Sequence, residues 1–270
     1  MLPAFLCLLF AVLMQIDANL FNDWWDCRKG VDTTVPRIGP LRVCAAGLIS
    51  MKSMLRAIIV VTMLSTTVGL AILLWSAQLT ADMPFGIPAP SLMLATGICC
   101  LIGFAAYSTF FSRWAMGDIL VIVFFGLIPV LCTYLLQDIS VNTSHSVLRH
   151  SLGMGLAADT LLMVNNYRDR HGDATVGKHT ICTIIGGQAS ELLYLILGIL
   201  AVVISTDWTN TAPTHIYANL LLLPYLSLHI YTYRRMIAIR EGAALNRVLG
   251  ATARNIFILG LCLSAMLLLA

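Results

Sequence analysis

Long apolar segments, each about the length of one bilayer crossing, recur along this chain and constrain its fold more than any other feature. A spanning helix needs roughly 20 apolar residues, and only helices and closed barrels satisfy their backbone polar groups in lipid. The chain is 59% hydrophobic and 11% charged, whereas soluble domains carry about a quarter charged residues. We therefore predict an all-α, polytopic membrane helical bundle. Its eight predicted spans are approximately 3–21, 55–77, 87–107, 117–137, 147–164, 181–205, 214–232 and 254–270.

The basic residues lie almost entirely on one side of this topology. All but Arg56 and Arg149 of the 16 Lys and Arg residues fall in the connections 22–54, 108–116, 165–180 and 233–254, and Arg56 lies two residues beyond the first of them. Because loops rich in Lys and Arg stay in the cytoplasm, we expect a multi-pass protein of the cell (inner or plasma) membrane with these connections cytoplasmic. The net charge of +3 reflects this topology. Membrane lipid or an anionic substrate is the expected partner, and nucleic acid is not.

Two short acidic clusters, 143 positions apart, interrupt the apolar pattern on the cytoplasmic side. Residues three or four apart share one face of a helix, so each cluster can bind Mg²⁺ through one or two carboxylates and leave positions for water and phosphate oxygens. One such cluster alone is typical of a solvated helix end. Two on the same membrane face favour a divalent cation with a phosphorylated ligand. The acidic residues are Asp23 and Asp26 in the first cluster and Asp169 and Asp173 in the second.

Basic and amide side chains accompany both clusters. Arg suits bidentate phosphate recognition, and Lys acts as a point charge. A role in topology alone is assigned to Arg28, Arg42, Lys52, Arg56 and the basic residues of 234–254. The residues predicted to bind diphosphate are Asn22, Lys29, Arg37, Asn165, Arg168 and Lys178.

The chain resembles the UbiA-type intramembrane prenyltransferases over essentially its whole length. Within that superfamily it is most similar to the branch that prenylates 1,4-dihydroxy-2-naphthoate, because Gly30 stands where other members have the last Asp of the first motif and the stretch 117–137 resembles the branch's middle span. The two runs that resemble the family's aspartate-rich signatures are Asn22-Asp23-x-x-Asp26-x-x-x-Gly30-x-Asp32-Thr33 and Asn165-Asn166-x-Arg168-Asp169-x-x-x-Asp173-x-x-x-Gly177-Lys178-x-Thr180.

The resemblance implies a fold, a cofactor and a reaction. It implies a bundle of nine helices around a central cavity, and residues 1–270 would form a single membrane domain that lacks the first of them. It also implies transfer of a polyprenyl group from polyprenyl diphosphate to an aromatic acceptor. With 1,4-dihydroxy-2-naphthoate, substitution at the carboxylated carbon with loss of CO₂ would give demethylmenaquinone in menaquinone biosynthesis. Two Mg²⁺ ions would be bound by Asp23, Asp26, Asp169 and Asp173, with Asp32 as a further candidate ligand.

Three other interpretations stay open at this stage. The acceptor could be 4-hydroxybenzoate or a heme, or the chain could be an inactive, truncated relative. An ion-coupled transporter could instead use Asp17, Asp159 and Glu191, which lie inside predicted spans. Transporter sites lie near the middle of the bilayer, whereas the two acidic clusters lie at one face. The prenyltransferase interpretation predicts that both clusters face one cavity, and the oligomeric state is left open.

Overall fold

Helices form the regular secondary structure of this protein in every part that the computed structural model describes, which confirms the all-α prediction. The described residues are 2–30, 38–39, 42–79, 87–109, 115–137, 144–208 and 213–269. The α-helices are α1 (Leu2–Lys29), α2 (Met51–Ser76), α3 (Ala89–Thr109), α4 (Gly117–Val121), α5 (Ile128–Leu135), α6 (Ser144–Thr175), α7 (Ile181–Ser205), α8 (Pro213–Leu220), α9 (Leu223–Ile239) and α10 (Leu245–Leu269). A π-helical turn, Ile122–Leu127, separates α4 from α5.

Six helical segments of the described residues are long and apolar enough to cross a membrane. They make the chain a multi-pass membrane protein. These segments are Leu2–Lys29, Met51–Ser76, Ala89–Ala106, Gly117–Leu135, Ile181–Ser205 and Leu245–Leu269.

The other two predicted spans are helical but differ in character. The segment 147–164 lies within α6, where Arg149 and Asp159 interrupt the apolar sequence. The segment 214–232 is divided by a two-residue turn between α8 and α9. Pro224 lies in the first turn of α9, where the missing N–H of a proline leaves no helical hydrogen bond unmade. The seventh predicted span is therefore two shorter helices and not one continuous helix.

The chain divides into two compact units. The first comprises Met1–Ser112 and Ile128–Ser144, and the second comprises Arg113–Leu127 and His145–Ala270. The first acidic cluster belongs to the first unit and the second cluster to the second unit.

In the first unit, α1 packs along α2 and α3. Met54 and Ile58 form a small buried cluster with Cys44, and aromatic residues at the end of α1 pack against it. Between α1 and α2, Asp17 is fully buried and accepts a hydrogen bond from the Thr62 hydroxyl at 2.5 Å. Many aliphatic side chains of the same helices are exposed, as expected for surfaces that face lipid.

In the second unit, glycines allow helices to approach closely. A Cβ on Gly126 would overlap the backbone of Gly155, so the π-helical turn and α6 pack backbone to backbone. A Cβ on Gly198 would overlap the imidazole of His229, which stacks on the Tyr194 ring at a centroid distance of 4.7 Å. The first contact holds α6, which carries the second acidic cluster, against the π-helical turn, and the second holds α7 against α9.

Candidate metal and diphosphate site

The first acidic cluster occupies the last two turns of α1. Asn22 and Asp26 are four residues apart and Asp23 lies between them, so all three lie toward one face of the helix. The helix ends before Gly30, whose φ is +68° and whose N–H donates to the carbonyl of Cys27 at 3.1 Å. A left-handed residue after a helix is usually glycine, because a Cβ is disfavoured in that conformation. Gly30 thus ends α1 one turn beyond Asp26.

Two residues between α1 and α2, Arg42 and Cys44, contact this cluster. Arg42 forms an ion pair with Asp26 through Nη1 and Oδ2, and the same nitrogen donates to the Asn22 carbonyl at 3.3 Å. The backbone N–H of Cys44 makes a long hydrogen bond, 3.5 Å, to Oδ2 of Asp23. Oδ1 of Asp23 is buried and has no hydrogen-bond partner in the part of the chain that is described. A buried carboxylate oxygen without a donor suits a bound cation.

The basic residues predicted beside the first cluster are only partly described. Lys29 is exposed, and its Nζ lies 5.1 Å from the centroid of the Trp25 ring. Such a cation–π contact at an exposed site is weak, about 0.5–1 kcal/mol, so the ammonium stays available to an anion. Arg37 and Asp32 lie outside the described residues, and their predicted roles stay predictions.

The second acidic cluster is organised around a buried arginine on α6. Arg168 donates through Nε and Nη2 to the two carboxylate oxygens of Asp169, at 2.8 and 2.6 Å. Nη2 also donates to Oδ1 of Asn165 at 2.7 Å, and Nη1 donates to Oδ1 of Asn246 at 2.8 Å. All three guanidinium nitrogens therefore donate to protein side chains, through four hydrogen bonds, and only 1% of the Arg168 side chain is exposed.

The last residues of the cluster meet through the turn that ends α6. Gly177 has a φ of +69°, and its N–H donates to the Ala174 carbonyl at 3.3 Å while the N–H of Lys178 donates to the Asp173 carbonyl at 2.9 Å. This pair of hydrogen bonds is the Schellman motif, in which glycine takes the left-handed position. The turn brings Nζ of Lys178 to 3.2 Å from Oδ2 of Asp173.

The environment of Asp173 combines burial with a neighbouring cation. Burial raises the pKa of the Asp173 carboxyl above its ordinary value, and the Lys178 ammonium opposes that shift. The Lys178 ammonium lies 3.2 Å from Oδ2 of Asp173, so this buried oxygen is already paired with a cationic group. Oδ1 of Asp23, by contrast, has no hydrogen-bond partner among the described residues.

The next helix begins directly after this turn. Thr180 caps α7 by accepting a hydrogen bond from the Thr183 N–H at 3.3 Å, and its own N–H donates to the Thr183 hydroxyl at 2.9 Å. This reciprocal pair is a capping box. The run 177–180 therefore ends one helix, provides an ion pair to Asp173 and starts the next helix, all within four residues.

A second network beside the cluster was not predicted from the sequence. The Tyr167 hydroxyl donates to Oε1 of Glu191 at 2.5 Å, and Nε of Arg240 lies 3.8 Å from the same oxygen. Arg170 lies over the Tyr167 ring at 4.2 Å and donates to Glu241 at 3.1 Å. These contacts join α6 to α7 and to the turn after α9. They fix the rotation of α6 and with it the direction in which the acidic cluster faces.

The sequence matches a known family across nearly all of its length. The UbiA prenyltransferase family matches residues 2–258. This chain belongs to that family. It is 34% identical over 237 residues to a 1,4-dihydroxy-2-naphthoate octaprenyltransferase of Haemophilus influenzae, a match that covers 84% of this chain and 73% of that protein.

Other proteins with the same description are similar to this UbiA-family chain. An Escherichia coli octaprenyltransferase for 1,4-dihydroxy-2-naphthoate is 31% identical over 268 residues, which is 97% of this chain and 85% of that protein. A Mycobacterium leprae protein of the same description is 32% identical over 76% of this chain and 67% of its own length. No solved structure matches this chain significantly.

Both clusters of this UbiA-family protein fit the Mg²⁺ that the sequence resemblance implied. Among the residues described, no three His, Cys, Asp or Glu side chains group as a closed metal site. Mg²⁺ is usually bound by one or two carboxylates together with water and substrate phosphates, and each cluster offers two carboxylates. Oδ1 of Asp23 is buried without a hydrogen-bond partner among the described residues, and Oδ2 of Asp173 is buried beside the Lys178 ammonium. Both are positions where positive charge is stabilised. That the two clusters share one cavity stays a prediction.

Proposed function

We propose that this protein transfers a polyprenyl group from polyprenyl diphosphate to 1,4-dihydroxy-2-naphthoate, with loss of CO₂, and so supplies demethylmenaquinone for menaquinone biosynthesis. The observation that supports this proposal most strongly is the similarity, along most of the chain, to several proteins described as 1,4-dihydroxy-2-naphthoate octaprenyltransferases. The length of the prenyl chain is not part of the proposal.

The proposed reaction breaks one C–O bond and one C–C bond. The bond between the allylic carbon and the diphosphate oxygen breaks heterolytically, and the diphosphate keeps the electron pair. The ring carbon that carries the carboxylate then forms a bond to the allylic carbon, and CO₂ leaves with the ring recovering its electron pair. The product of the transfer is the reduced quinol, and a separate two-electron oxidation, which this reaction does not supply, converts it to demethylmenaquinone. A membrane enzyme suits this chemistry because the prenyl tail dissolves only in lipid.

The acidic residues of both clusters would bind the cation. Carboxylates of Asp23, Asp26, Asp169 and Asp173 are oxygen ligands of the kind that Mg²⁺ prefers. When bound, Mg²⁺ supplies positive charge that neutralises the departing diphosphate. Oδ1 of Asp23 supports this assignment, because a buried carboxylate oxygen that has no described hydrogen-bond partner is disfavoured unless a cation is present.

The basic residues would bind the diphosphate itself. Lys178 lies 3.2 Å from Asp173 and could exchange that ion pair for a diphosphate oxygen once a cation occupies the carboxylate. Lys29, the last residue of α1, is exposed and lies beside the first cluster in sequence. Arg37 follows it further along the chain. Cations that are held in a water-poor site stabilise developing negative charge more than they would in water.

The proposed location is the cell (inner or plasma) membrane, with the loops of the active site on the cytoplasmic side. The basic connections of the chain support this orientation through the positive-inside rule. An ion-coupled transporter is less well supported, because the chain belongs to a prenyltransferase family and Glu191, a candidate for ion coupling, is hydrogen-bonded to Tyr167.

The acceptor is tested directly in membranes of a host that lacks its own enzymes for both aromatic acceptors. Each acceptor is supplied with the same polyprenyl diphosphate, with Mg²⁺ or with EDTA, and prenylated quinones are quantified. We expect demethylmenaquinone with 1,4-dihydroxy-2-naphthoate and Mg²⁺, and none in EDTA. Prenylated 4-hydroxybenzoate as the sole product would refute the acceptor, and full activity in EDTA would refute the dependence on Mg²⁺.

A further inference from the structure

Arg168, the arginine of the second motif, donates hydrogen bonds from all three of its guanidinium nitrogens to described protein side chains. Only 2% of the residue is exposed. A buried guanidinium is costly unless its charge is paired and its N–H groups have acceptors. Here one carboxylate and two amide oxygens meet that requirement. An arginine that is already satisfied in this way has little to offer a diphosphate.

The contact with Asp169 has the geometry that fixes a carboxylate. Two parallel hydrogen bonds, at 2.8 and 2.6 Å, join the guanidinium to both oxygens of Asp169. This fork places the carboxylate in the plane of the guanidinium, and lysine could not reproduce it. Each carboxylate oxygen has a second lone pair, so the outer side of Asp169 stays open to a cation. Asp169 is also the more accessible partner, with 24% of its side chain exposed.

Asn246 provides the support from outside the motif. It lies in the first turn of α10, 78 residues beyond Arg168, and its Oδ1 accepts from Nη1 at 2.8 Å. Asn165 and Asp169 are on the same helix as Arg168 and move with it. The hydrogen bond to Asn246 therefore connects the Arg168 guanidinium to a different helix, α10.

We propose that Arg168 and Asn246 are positioning residues that orient the Asp169 carboxylate for the divalent cation, and that Arg168 does not itself bind diphosphate. This inference rests on the proposed cation site and names a residue, Asn246, that lies outside both aspartate motifs. Groups that orient a metal ligand typically change metal affinity or activity 10- to 100-fold when they are removed.

The test measures Mn²⁺ binding to the full chain in detergent, from the loss of the free Mn²⁺ signal in electron paramagnetic resonance. We expect Asn246→Ala to weaken Mn²⁺ binding about tenfold. Asn246→Asp should bind within about twofold to threefold of the original protein, because its carboxylate oxygen can accept from Nη1 as the amide oxygen does. The concentration of Mg²⁺ that gives half-maximal prenyl transfer should change in the same order.

Asn255 provides a matched control on the same helix. Its Nδ2 donates to the Thr232 hydroxyl at 2.9 Å, so Asn255→Ala also removes a buried interhelical hydrogen bond, but without a contact to Arg168. We expect Asn255→Ala to leave Mn²⁺ binding unchanged even where it lowers the unfolding temperature as much as Asn246→Ala does. Equal loss of Mn²⁺ binding in both variants would overturn the inference, since general destabilisation would then explain it.

The variant Asp169→Asn separates this inference from the proposed function. If Asp169→Asn loses Mn²⁺ binding while Asn246→Ala keeps it, Asn246 does not position the ligand and the cation site itself stands. If Asp169→Asn binds Mn²⁺ as tightly as the original protein, Asp169 is not a ligand, and both the site and the inference are wrong. If Asn246→Asp bound Mn²⁺ as weakly as Asn246→Ala does, this result would also contradict the acceptor role of Oδ1 of Asn246.

Discussion

The turn at Gly177 offers a backbone test of the diphosphate site. Gly177 has a φ of +69°, and a Cβ at this position would meet no atom within 4 Å. Gly177→Ala therefore introduces conformational strain without a steric clash. The left-handed conformation costs an L-residue roughly 1–2 kcal/mol, which disfavours the native turn by a factor of roughly 5 to 30. Because this turn places Lys178 beside Asp173, we expect a weakened diphosphate interaction.

The assay is prenyl transfer at saturating acceptor, with polyprenyl diphosphate varied. We expect Gly177→Ala to raise KM for the diphosphate substrate by a factor within that range, and Gly177→Asn to stay close to the original value, because Asn adopts the left-handed conformation readily. Gly250→Ala is the control, since this glycine lies inside α10 with nothing within 4 Å of a Cβ and an ordinary helical Gly→Ala change stabilises by about 0.5–1 kcal/mol. An unchanged KM in folded Gly177→Ala would refute the proposed role of the turn.

Three further perturbations test other parts of the account. Asp23→Asn and Asp169→Asn should each abolish prenyl transfer in membranes while insertion, followed by protease accessibility, stays normal, because topology depends on Lys and Arg; activity in both would contradict the metal site. Gly155→Ala should lower the unfolding temperature clearly, because its Cβ would lie 2.7 Å from a backbone carbonyl oxygen of the π-helical turn; unchanged melting would contradict the close packing. Tyr167→Phe should destabilise by about 1–3 kcal/mol, since buried Glu191 loses its donor, and the double variant with Glu191→Gln should recover part of that loss in the same melting assay.

The helical architecture could be predicted because composition decides it in lipid. A segment of about 20 apolar residues has few alternatives to a helix when no water is present to bind its backbone, and each predicted span is helical. The division between α8 and α9 depends on the local effect of Pro224, and the π-helical turn coincides with the contact between Gly126 and Gly155. The contact between Gly126 and Gly155 joins two segments that are not adjacent in sequence, so apolar content alone could not predict the π-helical turn.

The residues that pair with the acidic clusters could not be predicted either, because they lie far from the clusters in sequence. Asp26 pairs with Arg42, 16 positions away, and Arg168 binds Asn246, 78 positions away, so no local spacing indicated either contact. Arg42 had been assigned only a role in topology. Gly30, interpreted as a mark of one family branch, also has a conformational reason, because its φ of +68° favours glycine.

Release of labelled CO₂ tests the central claim most directly. The substrate is 1,4-dihydroxy-2-naphthoate labelled at the carboxyl carbon, and the enzyme is the full chain in membranes of a host without its own activity. We predict one labelled CO₂ for each prenylated product, only when polyprenyl diphosphate and Mg²⁺ are both present, and none with Asp169→Asn. Prenylated product that retains the carboxyl label, or CO₂ release without polyprenyl diphosphate, would contradict the proposed reaction.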